Sequence, residues 1–359
     1  MKIEANPKYQ QLKEVLRKEI HKRKLKPGER IPPEGTIAKE YGVSPGTVRR
    51  AMAELVSEGL IYKEQGRGTF VAEKKTKKKT FTIGLLLTDI GNPFFSQLAR
   101  SIQEKALPLE YSVIYCNTND QLSREAESID MFIKRRTDGV ILVPVLKDRE
   151  EKLIQKLKEN DIPFVYLDRY LDKPTSDYII IDNLSGVRQA MEYLISLGHK
   201  RVGCISAQPF TRVLEQRVEA YKKIVRENAL ATDASLVQIS NLLDDKGGYD
   251  AASKLLSIKN RPTAVFATND VIAIGVHRAA KNKGMRVPQD LSLVGFDDIE
   301  ICPHLEVPLT TVSQPIEKMG EIAVKILAEK IAKKDSETLQ RVILKPKLVV
   351  RESCGQIQG

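Results

Sequence analysis

The stretch EYGVSPGTVRRAMAELVSEGLIYKEQGRGTFV, residues 40–71, joins two features that a single buried element would not need. A run of helical character begins at Ser44 and carries two adjacent arginines, Arg49 and Arg50. A tight glycine turn follows, with a third arginine, Arg67, at its tip. Three cations around two backbone turns indicate a surface that meets an anionic partner.

The residues around this run predict a compact helical unit. KYQQLKEVLRKEIHKRK (residues 8–24) repeats apolar residues at helical spacing, and the prolines and glycine of KPGERIPPE (residues 26–34) end that helix. A second short helix is predicted at about residues 36–41. A third begins after Ser44, a good N-cap residue that is followed by Pro45 at the first helical position. A helix, a glycine turn and a second helix form the helix-turn-helix pattern.

The third helix has an apolar face and a cationic face. The apolar residues that share one face are Val48, Ala51, Met52, Leu55 and Val56. Arg50 points away from that face and Arg49 lies on its flank, so the helix is suited to enter a groove of a nucleic acid. The residues after it, LIYKE, QGRG and TFVA, predict a β-hairpin whose tip reaches the phosphate backbone beside that groove. The planar fork of arginine can grip a guanine edge or a phosphate, and Gly66 and Gly68 let the main chain approach phosphates closely.

Positive charge is concentrated at the start of the chain. Of the 58 Lys and Arg and 47 Asp and Glu, residues 1–80 hold 20 and 10 and therefore carry +10 of the net +11. A basic surface is often only solvated, but this asymmetry favours a polyanion as the partner. EKKTKKKT, residues 73–80, is highly charged and poor in apolar residues, which predicts an exposed linker that can also touch DNA.

From Phe81 onward the pattern changes to short β-branched apolar runs separated by amphipathic segments. Continuous apolarity indicates strands that are buried on both faces, and therefore parallel α/β sheets. So many units over residues 81–359 predict two doubly wound lobes with a ligand between them, at the carboxyl ends of the strands. The runs are FTIGLLLTD, YSVIYCNT, DGVILVPV, IPFVYLDR, DYIIIDN, KRVGCIS, TAVFATND and LSLVGFDD.

Several classes of protein are disfavoured by what the sequence lacks. No apolar run approaches the 18 or so residues of a membrane span, and the start, MKIEANPKYQQ, has no signal-peptide pattern. The four cysteines and four histidines are scattered without the spacing of metal ligands. We therefore expect a cytoplasmic protein with reduced thiols, no metal and no cofactor. An enzyme is disfavoured because GxGxxG after a strand, GxxxxGK[ST] and GxSxG are all absent.

Residues 7–72 resemble the winged helix-turn-helix of the GntR family of bacterial repressors, through PPE, VSPGTVR and GRGTFV. Pro45 departs from that family, which often has an arginine there, and this leaves the operator sequence open. The resemblance and the direction of Arg50 together imply the following DNA-binding residues: Glu34, Ser44, Thr47, Arg49, Arg50, Gln65, Gly66, Arg67 and Gly68.

Residues 81 to about 353 resemble the effector domain of the LacI/GalR family, which is itself similar to periplasmic sugar-binding proteins. The similar motifs are TIGLLLTDIGNPFF, LISLGHKRVGCIS, PTAVFATNDVIAIG, VPQDLSLVGFDDIE and PLTTVSQPIEKMG. A GntR head on a LacI-type body resembles the layout of the arabinose-repressor (AraR) family.

The resemblance implies a sugar site. Aromatic rings can stack on the apolar face of a sugar, while carboxylate, amide and guanidinium groups satisfy its hydroxyls. Phe94 and Phe95 could instead be core residues, and Asp168 and Arg169 could simply pair with each other. The implied effector-binding residues are Asn92, Phe94, Phe95, Asp168, Arg169, Arg217, Asn269, Asp297 and Gln314.

The predicted fold class is α/β, an N-terminal winged helix-turn-helix joined to a two-lobed, doubly wound parallel-sheet domain. The predicted boundaries are 1–72 for the DNA-binding domain, 73–80 for the basic linker and 81–359 for the effector-binding and dimerisation domain. The predicted function is a repressor that binds operator double-stranded DNA as a homodimer and is released by a monosaccharide such as a pentose. A transport-type sugar receptor is disfavoured by the basic head. The identity of the sugar, and whether it releases or strengthens the DNA complex, stay open.

Overall fold

The chain forms two compact units, Met1–Lys78 and Lys79–Gly359, which we call the head and the effector unit. The computed structural model describes residues 7–21, 25–72, 79–145, 151–171, 176–208, 211–332 and 339–357. Residues 73–78 of the predicted linker lie outside these ranges. Among the described residues, no helix has both the length and the apolar composition that a membrane span requires.

The head consists of three helices followed by a hairpin, which confirms the predicted winged helix-turn-helix. Its two strands pair antiparallel, with Ile61 opposite Val71. The second helix begins at Glu34, two residues earlier than predicted, directly after the extended backbone of Pro33. The elements are α1 (Lys8–His21), α2 (Glu34–Glu40), α3 (Pro45–Ser57), β1 (Ile61–Glu64) and β2 (Gly68–Val71).

One face of α3 lies at the centre of the head's core. Lys13 of α1 binds Glu54 at 2.7 Å and Glu58 at 3.3 Å, so the two helices are also joined by ion pairs. Val56 is only half-buried. The buried residues of α3 are those that the helical spacing predicted, Val48, Ala51, Met52 and Leu55. Since each large apolar side chain contributes about 1.5–3 kcal/mol when buried, this face orients α3 and leaves its other face exposed.

The effector unit alternates strands and helices. Its elements, in chain order, are β3 (Thr82–Leu87), α4 (Pro93–Ala106), β4 (Ser112–Asn117), α5 (Leu122–Arg135), β5 (Gly139–Leu142), α6 (Glu151–Glu159), β6 (Phe164–Leu167), β7 (Asp177–Ile181), α7 (Asn183–Ser196), β8 (Val202–Ala207), α8 (Arg212–Glu227), β9 (Val237–Ser240), α9 (Asp245–Leu255), β10 (Ala264–Ala267), α10 (Asp270–Asn282), β11 (Ser292–Asp297), β12 (Thr310–Ser313), α11 (Ile316–Ala332), β13 (Arg341–Leu344) and β14 (Lys347–Val349).

These elements form two lobes, each built on a six-stranded sheet. The sheet of the first lobe has the order β13-β7-β6-β5-β3-β4 and that of the second lobe β14-β12-β11-β10-β8-β9. All neighbours are parallel except β14, which runs antiparallel to β12. The chain passes between the lobes after β7, after β12 and after β13. Helix α11 packs on α4 and on the first sheet, so it belongs to the first lobe.

Both faces of the first sheet are buried at β3, as the continuous apolar runs predicted, but the edge strand β4 is only partly buried, with Tyr115 56% exposed. In β3, Leu85 and Leu87 pack in a cluster with Leu327 of α11, whereas Leu86 packs on the opposite face with Phe132 of α5. The predicted doubly wound, two-lobed fold is therefore confirmed. Four strands were not predicted, namely β9, β12, β13 and β14. Three of them lie at sheet edges and are only partly buried, and β12 consists largely of threonine and serine.

Candidate functional site

Helix α3 begins as predicted, at a capped and exposed turn. The Ser44 hydroxyl accepts a hydrogen bond from the backbone N–H of Thr47 at 3.2 Å, and the two hydroxyl oxygens are 2.9 Å apart. Pro45 occupies the first helical position. The first turn of α3 therefore presents two hydroxyls at a fixed position, next to a helix N-terminus that favours phosphate.

Arg49 is exposed and loosely held. Its side chain is 70% exposed, and its Nε lies 3.3 Å from Glu34 Oε2. The other oxygen of Glu34 is 3.7 Å from Lys63 Nζ, so Glu34 joins α2, α3 and β1. Exposed ion pairs contribute little free energy, and Arg49 can therefore exchange this carboxylate for a phosphate or a base at low cost.

Arg50 packs against α1. Its Nη2 donates to the Tyr9 hydroxyl at 3.3 Å, and its guanidinium carbon lies 3.9 Å from the centre of the Tyr9 ring. Sequence reasoning missed Tyr9, because no local pattern relates residues 41 positions apart. Arg50 is still exposed, and the stacked ring limits the directions in which it can point.

The predicted wing is the turn of the β1–β2 hairpin. The side chain of Arg67 at its tip is 75% exposed, and its Nη1 lies 2.6 Å from Oε2 of Glu64. Gly68 has a φ of +124°, and a Cβ there would lie 2.8 Å from Nε of Arg30. Glycine is therefore required at this position. Arg30 brings a further cation to the predicted residues Gln65, Gly66, Arg67 and Gly68.

In the first lobe, Arg169 lies across the carboxyl ends of the strands. Its Nη1 donates to the Pro144 carbonyl oxygen at 3.3 Å and is 3.5 Å from Asp120, while its Nη2 donates to Thr88 at 3.2 Å. These three partners follow β5, β4 and β3, and Arg169 itself follows β6. Its Nε lies 3.6 Å from the Asp168 carboxylate, and both residues are buried. Asp168 and Arg169 therefore pair with each other at the carboxyl ends of the strands, where the sequence predicted the site.

In the second lobe, Arg217 of α8 occupies the corresponding position. Its Nε donates to Asn183 at 3.0 Å, and its Nη1 donates to the Thr268 carbonyl oxygen at 2.8 Å and to Asp297 at 3.1 Å. The guanidinium carbon lies 3.6 Å from the centre of the Phe296 ring. The side chain is 3% exposed, and this position fixes its charge beside the end of β11.

Gln314 lies on the second passage between the lobes and joins this group. Its amide nitrogen donates to Asp297 at 2.7 Å. Its Oε1 and the Nε of Arg169 are buried and have no hydrogen-bond partner among the described residues. Such atoms are uncommon in folded proteins. The cluster formed by these side chains therefore has capacity for further hydrogen bonds; its members are Asp168, Arg169, Arg217, Asp297 and Gln314.

Charges in one lobe affect the pKa of a carboxylate in the other lobe. Burial raises the pKa of Asp168, and the guanidinium groups of Arg169 and Arg217 oppose that rise. Burial likewise raises the pKa of Asp297, against the effect of Arg217. Both residues adopt positive φ, 65° for Asp168 and 115° for Asp297. Non-glycine residues in this region cost about 1–3 kcal/mol, a cost that is typical of binding sites.

The remaining predicted residues serve as caps and core. The side chain of Asn92 caps α4 by accepting from the Phe94 N–H at 3.1 Å, and that of Asn269 caps α10 by accepting from the Ile272 N–H at 2.8 Å. Phe94 and Phe95 are buried, with ring centres 5.1 Å apart, inside an apolar cluster. The packing of these two rings therefore agrees with the alternative that the sequence left open, that Phe94 and Phe95 are core residues.

Sequence reasoning missed the residues that hold the two arginines. Thr88, Asp120 and Asn183 each follow a strand of the first sheet, and a polar residue at that position was the available signal. No group of three or more His, Cys, Asp or Glu within the described ranges is placed to hold a metal ion.

Asp270 is a buried carboxylate without a neighbouring cation among the described residues. It accepts from the Ile299 N–H at 3.0 Å and from the Thr311 hydroxyl at 2.5 Å. Burial, assisted by the charge of Asp297, raises the pKa of Asp270 to about 7. The folded chain therefore binds the proton more tightly than the unfolded chain does.

We expect this group to destabilise the fold progressively as the pH rises from about 4 to 7, because stability falls wherever the native state binds more protons. Each unit of raised pKa corresponds to about 1.4 kcal/mol. Asp270→Asn should therefore be more stable than the wild type at pH 8 and gain about 1–3 kcal/mol less at pH 5. Thermal unfolding at both pH values measures this difference. A gain that does not depend on pH would show that Asp270 is ionised in both states.

Two family models match the chain. The model of bacterial regulatory proteins of the gntR family matches residues 8–71, and that of the periplasmic binding protein-like domain matches residues 191–354.

The alignments with similar proteins cover most of the chain. The ribose operon repressor of Escherichia coli (strain K12) is 31% identical over 327 residues, which are 89% of this chain and 98% of that protein. The regulator DegA of Bacillus subtilis (strain 168) is 33% identical over 285 residues, 79% of this chain and 83% of that protein.

A solved structure of a LacI family transcriptional regulator from Enterococcus faecium, with bound ribose, is also similar. It has a TM-score of 0.70 and 28% identity, and the match covers 77% of this chain and all of that one. The chain therefore belongs to the LacI family of transcriptional regulators, with a DNA-binding head of the gntR family.

Proposed function

We propose that the chain is a transcriptional repressor that holds operator DNA with its head and binds a monosaccharide in the cleft of the effector unit. The observation that carries this proposal is the buried cluster of Asp168, Arg169, Arg217, Asp297 and Gln314 at the carboxyl ends of strands of both lobes. The cluster contains one donor and one acceptor that make no hydrogen bond to the described residues. Sugar hydroxyls both donate and accept hydrogen bonds, so they suit such a site.

The charges of the cluster favour a neutral sugar over a phosphorylated one. Its two carboxylates balance its two guanidinium groups, and each guanidinium already lies beside a carboxylate. A phosphate group would have to compete with those carboxylates. The bound ribose of the Enterococcus faecium regulator and the name of the E. coli ribose operon repressor support a pentose.

A thermal-shift screen tests the effector. We expect ribose or another pentose, at about 100 times its Kd, to stabilise the effector unit by about 2.7 kcal/mol. This corresponds to a rise of roughly 5–10 °C in Tm. The phosphates of the same sugars serve as controls and should give smaller shifts. If only phosphorylated sugars raise the Tm, the assignment of a neutral sugar is wrong.

On the DNA side, we assign binding to the first turn of α3, to Arg49 and Arg50, and to the wing. The domain boundaries that fit this division are 1–72, 73–80 and 81–359. A homodimer would place two heads on two half-sites, which raises both affinity and specificity. Light scattering of the complex with operator DNA gives the number of chains per duplex, and an electrophoretic shift with increasing sugar shows whether the sugar releases the complex.

A further inference from the structure

An arginine of one lobe stacks on a tyrosine of the other. Tyr170 lies between β6 and β7 of the first lobe, and Arg212 is the first residue of α8 in the second lobe. The guanidinium carbon of Arg212 lies 4.6 Å from the centre of the Tyr170 ring. The ring of Tyr178, from β7, stacks on Tyr170 with centres 4.5 Å apart and an angle of 13° between planes. The three groups form a stack that joins the lobes.

This stack lies next to the polar cluster in both lobes. Tyr170 follows Asp168 by two residues. Arg212 precedes Arg217 by five residues on α8, which is about 7.5 Å along the helix. Tyr170 and Arg212 are half-buried, and Tyr178 is buried. Any movement that opens the cleft at this side must separate the arginine from the ring.

A second contact between the lobes is much more exposed. Arg100 of α4 lies 2.9 Å from Glu300, which follows β11, and the two side chains are 59% and 65% exposed. Exposed ion pairs contribute little, whereas a cation on an aromatic face contributes more when it is partly desolvated. Of these two contacts, the stack therefore resists opening more strongly.

We propose that Tyr170 and Arg212 form a latch that favours the closed cleft and thereby sets the affinity for the effector. A ligand held by both lobes favours the closed form only through its difference in affinity between open and closed forms. Without the latch, part of the binding free energy would be consumed in closing the lobes. The effector would then bind more weakly and leave faster. The sugar in this inference rests on the proposed function, but the effect of the latch on the unliganded protein does not.

The experiment compares full-length variants in two measurements. Arg212→Gln and Tyr170→Leu remove the latch, Tyr170→Phe keeps the ring, and Arg226→Gln removes an exposed arginine of the same helix as a control. Small-angle X-ray scattering without sugar should give a larger radius of gyration for the first two variants only. Calorimetric titration with D-ribose should give an affinity about three- to tenfold weaker for the same two variants. The double variant should be no weaker than the more affected single variant, because both act through one contact.

Each outcome has a distinct meaning. An unchanged radius of gyration in both latch variants overturns the latch, even if ribose affinity falls, because the residues would then act by touching the sugar. A larger radius in a protein whose wild type binds no ribose keeps the latch and removes ribose as the effector. Equal loss in Arg226→Gln and Arg212→Gln would show that only net charge matters, and this also overturns the latch.

Discussion

Replacing Arg217 with methionine is expected to lower the free energy of unfolding of the effector unit by about 3–5 kcal/mol, the usual cost of removing one partner of a buried ion pair. Methionine keeps an aliphatic side chain but removes the guanidinium that lies over the Phe296 ring. It leaves the Asp297 carboxylate buried without its counter-charge, and Asn183 and the Thr268 carbonyl without their donor. The loss should be smaller at pH 5 than at pH 8, because burial already raises the pKa of Asp297 and its protonated form needs no cation.

Scanning calorimetry of the full chain measures this effect on the transition of the effector unit. Arg226→Met is the matched control, since Arg226 lies in the last turn of the same helix and is exposed. It should change the stability by less than about 0.5 kcal/mol, as surface substitutions usually do. Similar losses in both variants would mean that the guanidinium of Arg217 stabilises the fold no more than a surface charge does.

Replacing Arg49 with alanine is expected to weaken operator binding by about 1–3 kcal/mol per half-site, and by roughly twice that in a dimer. The substitution also leaves the Glu34 carboxylate without its nearest arginine, on a surface that should face DNA. Effector affinity should not change, because Arg49 belongs to the head and the cluster to the effector unit.

Fluorescence anisotropy with a labelled operator at one fixed salt concentration measures the loss, since affinities for DNA depend steeply on salt. Lys18→Ala removes the same charge from an exposed position on α1 and is the control. Comparable losses in the two variants would indicate bulk charge rather than a directed contact of Arg49.

Much of the fold could be predicted because its signals are local. The cap at Ser44, the apolar face of α3 and the glycines of the wing all lie within one short stretch. Continuous apolar runs predicted the buried strands, whereas the half-buried edge strand β9 had no such run. Polar residues after strands correctly indicated where Asp168 and Asp297 would lie.

The partners of these residues could not be predicted, because they are set by the tertiary structure. Arg217 meets Asn183, 34 residues earlier, and Asp297, 80 residues later. Likewise, Tyr170 and Arg212 come together only because the two lobes pack against each other. The amides of Asn92 and Asn269 show a related problem, because an asparagine before a helix is equally suited to cap it and to bind a ligand.

Because the chain passes three times between the lobes, the first lobe is completed only near the end of translation. The last strand of the head, β2, ends at Val71, whereas the first lobe receives its last strand only with Leu344 of β13. At about 5–20 residues per second, translation needs roughly 14–55 s to cover that distance. During this time every nascent chain carries the elements of its gntR-type head, whereas its effector unit is still incomplete. Newly made chains can therefore meet DNA before they can respond to sugar.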